Sequence, residues 1–153
     1  MESLVELGAV RQRRVGAAYQ YSLSRGNMAV ETIIAPSLKA EASMLDDLKR
    51  NITSQFRGKT VSLTLYGSLA GGTGKRGSDI DVLAVSRDEQ RKKELEDKAA
   101  AKISFFRERY NAVLSLHCYT LLELRSRKNL PLLKSVIQEG VMLSGKPLRE
   151  LMA

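Results

Sequence analysis

The chain has 153 residues, with 25 Lys plus Arg against 17 Asp plus Glu and a formal charge of +8. That length suits one ordinary domain with a short appendage, and burying roughly 70% of the unfolded surface holds a core without staples. The lone cysteine excludes an internal disulfide scaffold, no apolar run reaches the ~20 residues of a bilayer span, and the basic balance favours a polyanionic partner such as nucleic acid or a triphosphate.

The first stretch, "MESLVELGAVRQRR", puts its acids ahead of its basic cluster, the reverse of a secretory signal. A cytoplasmic protein with no membrane segment is the expectation. Residues 1–29 read as an appendage, in which 9–15 and 18–24 predict a β-hairpin turning about Gly16. Strand alternation puts Arg11 and Arg13 on one face and Val10 and Gln12 on the other, with Arg14 beside them. The basic hairpin is the place to look for contact with DNA, a protein partner or a second copy of the chain.

From residue 30 to 153 the pattern becomes that of a second domain. Leu38, Leu45, Leu48, Ile52 and Phe56 recur at threes and fours, predicting an amphipathic helix after Pro36. "TVSLTLY" and "DIDVLAV" predict strands. The second is apolar on both sides, as in the covered interior of an α/β sheet. "SRDE" (Ser86 to Glu89) predicts a capping box opening a long helix with Leu95, Ala99, Ile103, Phe106 and Tyr110 on one stripe, ending near Asn111. "VLSLHCY" is a third strand, and "TLLE" (Thr120 to Glu123) a second capping box. Pro131 suits a first helical turn, Gly140 its end, and "VML" a short last strand. The fold class is α/β (α+β), a small sheet with helices packed on it.

Chemistry concentrates in "LYGSLAGGTGKRGSDIDVLAV". Asp79 and Asp81 alternate onto one strand face with Cα atoms roughly 6.5 Å apart. Two carboxylates so close repel, and a divalent cation relieves that repulsion; oxygen ligands suit Mg²⁺ or Mn²⁺. Gly67, Gly71, Gly72, Gly74 and Gly77 let backbone N–H groups approach phosphate oxygens. A bare D-x-D pair is more often a solvated pair or a helix cap. A P-loop is excluded, because Leu69 stands where its first glycine belongs and Arg76 follows Lys75.

A strand, the pair Gly67-Ser68, a spacer and "SDIDVLAV" together resemble the signature of the DNA polymerase β-like nucleotidyltransferase superfamily, in its minimal branch. The resemblance spans about Leu38 to Gly145 and implies a small mixed sheet with packed helices. It implies that Gly67 and Ser68 position a nucleoside triphosphate and that Asp79 and Asp81 bind the metals. It further implies in-line attack of a hydroxyl on the α-phosphorus, with pyrophosphate leaving. Two departures stand out. Gly71 lies where relatives carry an arginine, and "NAVLSLHCYT" lacks the family's third acid, showing Ser115, His117 and Tyr119 instead.

His117, the single histidine, reads as a hydrogen-bonded residue on a sheet face, with ligand or base as the sharper alternative. Cys118 reads as a small core residue. "LVELGAVRQRRVGAAYQYSLS" resembles the end of a winged-helix domain, a helix tail followed by a basic, wing-like hairpin. Two classes therefore stay open. The intact G-S and D-x-D favour an enzyme, a metal-dependent nucleotidyltransferase. The missing acid favours a catalytically degenerate regulator or antitoxin-like protein.

Overall fold

A computed structural model of the chain describes residues 2–74, 77–126 and 130–152, with Ala42 described by its backbone alone. Two units are formed, Met1–Asp46 and Asp47–Ala153. In the first, α1 (Glu2–Glu6) precedes β1 (Val10–Val15), which pairs antiparallel with β2 (Ala18–Leu23). The expected hairpin is there. Gly16 at φ 63° takes the first place of its two-residue connection, where a left-handed residue matches the strand twist. Arg11 and Arg13 lie opposite Ser22 and Gln20 on one face, whereas Arg14 lies opposite Tyr19 on the other. The three arginines are thus split between the two faces, and the Arg14 Nε donates to the Gly16 carbonyl at 3.3 Å.

Helical structure begins earlier than Pro36 predicts. The Asn27 Oδ1 accepts from the backbone N–H of Ala29 at 2.9 Å and of Val30 at 3.3 Å, capping the segment. A π-helical stretch, Val30–Ile34, then runs into α2 (Ala35–Phe56), with the Ala35 N–H reaching back to the Val30 carbonyl. Pro36, having no N–H to give, lies inside this continuous helical run, directly after the π-helical stretch.

The second unit is built on a mixed sheet in the order β5-β4-β3-β6. Its strands are β3 (Ser62–Tyr66), β4 (Ile80–Ser86), β5 (Leu114–Thr120) and β6 (Val141–Gly145). The sheet pairs β3 antiparallel with both β4 and β6, and β4 parallel with β5. A parallel pair requires a long crossover, supplied here by α4 (Glu89–Tyr110), while the single turn α3 (Gly67–Ala70) lies between β3 and β4. On one sheet face, Tyr66, Leu83 and Val85 pack with Leu124, Leu133, Val136, Leu148 and Leu151. Those leucines and valine come from α5 (Leu121–Ser126), α6 (Pro131–Glu139) and α7 (Leu148–Leu151). The alternate residues Leu63, Leu65, Ile80, Val82 and Ala84 are fully buried on the other face. β4 is therefore covered on both sides, as its unbroken apolar run requires.

The two capping boxes fare differently. Thr120 and Glu123 cap reciprocally: the Glu123 N–H donates to the Thr120 Oγ1 at 3.2 Å, and the Thr120 N–H to the Glu123 Oε2 at 2.9 Å. Ser86 does not cap α4. It stays in β4, its hydroxyl donating to the Asp88 carbonyl, and Asp88 accepts from the Arg91 N–H at 2.8 Å instead. Asn111 closes α4 in the left-handed conformation at φ 52°. Among the described residues, no helix is long and apolar enough to cross a membrane.

Cys118 is buried, as its sequence position predicts. Burial first, then the charge of Glu96, pushes its thiol up to about 12. A raised pKa stabilises the fold fully below the unfolded thiol's ~8.5 and loses that contribution as pH rises through the folded value. The urea midpoint should therefore decline from pH ~8.5 upward, and Cys118→Ala should remove a one-proton slope of about 1.36 kcal/mol per pH unit. Parallel pH profiles of the two proteins check this; superimposable slopes would refute it.

Candidate active site

β3 delivers the chain to the site and β4 carries it away. The register sets Tyr66, the last residue of β3, opposite Asp81, and sets Asp81 beside Ser115 of β5. His117 lies beside Leu83 in the same parallel ladder, so alternation places Asp81, Tyr66, Ser115 and His117 on one face. Directly after Tyr66 the backbone turns at Gly67, whose φ is 73°. A Cβ at Gly67 would lie 2.5 Å from the Asp81 Oδ2. The glycine is thus required twice, by its left-handed backbone and by the carboxylate packed against it.

Ser68 follows Gly67 in α3, and its carbonyl accepts from the Thr73 N–H at 3.0 Å, folding the connection back toward β4. The glycine-rich connection thus opens, over Gly67–Ala70, as a helical turn that includes the G-S pair. Asp79 is exposed and stands one residue ahead of β4, while Asp81 is half-buried as its second residue. Lys75 and Arg76 of the glycine-rich stretch lie outside the described residues.

The electrostatics follow from that placement. Burial, then the charge of Asp79, holds the Asp81 carboxyl above the usual carboxylate range, and His117 partly opposes them. The Tyr66 phenol is pushed up to about 12 by burial, then by Asp81 and Tyr119. The Tyr66 hydroxyl and the His117 Nδ1 share a hydrogen bond of 2.8 Å, with the rings edge-on at a centroid separation of 6.1 Å. His117 is therefore the hydrogen-bonded sheet histidine, and it also borders Asp81. Its partner was not legible from sequence, because Tyr66 lies 51 residues away and only the register joins them.

Asp79 and Asp81 form a pair of acids without a third among the described residues: no group of three His, Cys, Asp or Glu is placed to hold a metal ion. The donor set still fits a hard divalent cation. Two carboxylates crowd each other, and the half-buried one resists its own charge.

The model of the nucleotidyltransferase domain family matches residues 45–140, which include Gly67, Ser68, Asp79 and Asp81. The chain belongs to the nucleotidyltransferase domain family. No curated protein matches the sequence of this nucleotidyltransferase domain protein. Solved structures similar to it include a toxin–antitoxin complex with AMP-PNP, at 18% identity, 68% of this chain, 80% of the other and a TM-score of 0.44. A mutant of the toxin–antitoxin pair MntA-HpeT is similar at 16% identity, 68%, 80% and 0.44. The tri-AMPylated HEPN toxin of Shewanella oneidensis in complex with MNT antitoxin is similar at 16% identity, 71%, 80% and 0.39. With no identity above 18% and no TM-score above 0.44 among the three, this likeness carries no functional weight.

Proposed function

We propose that this nucleotidyltransferase domain binds a nucleoside triphosphate and transfers its nucleotidyl group to a hydroxyl acceptor. The observation that carries the reading is the Tyr66–Asp81 register, which brings the Gly67-Ser68 turn against the Asp81 carboxylate. Asp79 and Asp81 would hold Mg²⁺ or Mn²⁺. When bound, such an ion would neutralise charge building up on the α-phosphate and the leaving pyrophosphate. Gly67 keeps the approach clear of a side chain, and the Ser68 hydroxyl hydrogen-bonds a phosphate oxygen. The acceptor oxygen bonds to the α-phosphorus as the bond to pyrophosphate breaks, and the hydroxyl proton leaves to water. A cytoplasmic setting suits the chain's single reduced thiol.

Calorimetry with ATP, with and without Mg²⁺, tests the binding half. Transfer of label from α-labelled ATP to hydroxyl acceptors tests the chemistry. Equal affinity with and without metal would leave the carboxylates without this role.

A second reading is a regulator or antitoxin-like protein that contacts DNA or a partner protein through its hairpin. The position beside Asp81 on β5 favours it, since Ser115 stands there and the strand carries no carboxylate. Binding without turnover would support that reading. If the hairpin meets duplex DNA, the face bearing Arg11 and Arg13 is the part that neutralises phosphates. Arg11→Ala, Arg13→Ala should then flatten the log–log salt slope by about two, at about −0.9 per phosphate, and Arg14→Ala by less. Salt-titrated binding to random duplex measures it; no binding at ~50 mM salt would leave the hairpin as a protein contact.

A further inference from the structure

We infer that a concavity at the opposite end of the sheet from Asp79 and Asp81, bounded by Lys59, Arg87 and Arg91, binds a phosphate or pyrophosphate group. Two chain segments build it: Gly58 to Val61 after α2, and Arg87 with Arg91 at the start of α4. It encloses about 160 Å³, many times the ~10–15 Å³ that holds one water. Three of its six lining residues are cations and none is an acid. Thr60 adds a hydroxyl.

Its location separates it from the carboxylate site. Val61 and Arg87 flank the ends of β3 and β4 that lie away from Tyr66 and Asp81. Five residues of strand put roughly 16 Å between the two ends, on the far edge of a covered sheet. One triphosphate held at Asp81 does not reach it.

The positive charge there is only partly neutralised. Arg91 pairs with Glu94 at 2.8 Å, and Asp88 nearby is engaged as the cap of α4. Lys59 and Arg87 make no ion pair among the described residues. Positive charge continues behind Lys59: burial, then Lys59 and Lys102, holds the Lys98 ammonium below its ordinary value. A dianion in the concavity relieves that crowding, and arginine forks match phosphate geometry. The phosphate is either free or part of a nucleic-acid backbone.

The test uses the full ¹⁵N-labelled chain in EDTA, titrated with pyrophosphate and, separately, with a 12-base-pair duplex. The expected result is saturable shifts of the Gly58, Thr60 and Val61 amides, weakened ~10-fold or more in Lys59→Ala, Arg87→Ala. They should persist in Asp79→Asn, Asp81→Asn, so this site and the proposed transferase site stand or fall separately. Shifts by pyrophosphate alone assign a free phosphate. Tighter binding of duplex, competed by pyrophosphate and with the steeper salt dependence, assigns a nucleic-acid backbone. No saturable shift with either probe, or shifts indifferent to loss of Lys59 and Arg87, overturns the inference.

Discussion

Asp81→Asn is expected to remove metal-dependent triphosphate binding while raising the melting temperature of the unliganded protein. Burial and the neighbouring Asp79 both work against the Asp81 charge, so at neutral pH the ionised carboxylate costs the fold stability. An amide of the same shape relieves that cost. It also withdraws the charge that a divalent cation would neutralise. The loss of metal-supported affinity should exceed the ~10–100-fold that removing a supporting residue typically brings. Asp79→Asn should relieve the same repulsion and weaken metal binding in parallel. Thermal melts with and without Mg²⁺ separate the effects. Metal should stabilise the wild type by linkage and leave Asp81→Asn unmoved. A variant both less stable and still metal-responsive would sink this account.

Gly67→Ala should damage stability and site together. An L-residue at φ 73° costs roughly 1–2 kcal/mol, and the new methyl would sit 2.5 Å from the Asp81 Oδ2, so the carboxylate or the turn must shift. Displacements of about 1 Å at a reacting centre cost on the order of 100-fold in rate. Gly16→Ala, in the hairpin connection, is the matched control, because Gly16 has φ 63° and open space where its Cβ would go. Both variants should lose similar stability in urea titrations, and only Gly67→Ala should lose nucleotide binding and transfer. Equal functional losses would mean that backbone strain alone, and not the contact with Asp81, makes Gly67 necessary.

Much of this was legible because the sequence speaks through local periodicity. β4 announced itself by being apolar on both sides, and Thr120 with Glu123 formed the box that their spacing implied. The same Ser-x-x-Glu spelling at Ser86 misled, because Asp88 offers a competing cap two residues on and the strand keeps Ser86 for itself. Asn27, the actual cap, lies upstream of Pro36, which is the stronger local signal for a helix start. As candidates, Asp79 and Asp81 were readable from spacing, and Gly67 and Ser68 from resemblance. Tyr66 was not. Its place beside Asp81 and its bond to His117 depend on how three strands align, and nothing in a local stretch encodes that alignment.

The pairing of Tyr66 with Asp81 fixes the two halves of the site through one antiparallel ladder. The stretch joining them, from Gly71 to Ser78, is therefore not what holds Gly67 against the carboxylate. Doubling the length of such a connection costs only about 0.6 kcal/mol in closure entropy. Under the proposed function, what is admitted and how Gly67 meets Asp81 are set by different parts of the chain. The joining segment can lengthen, shorten or change its side chains while Gly67 and Asp81 keep their spacing. The ladder is the fixed frame, and the joining segment is the adjustable part.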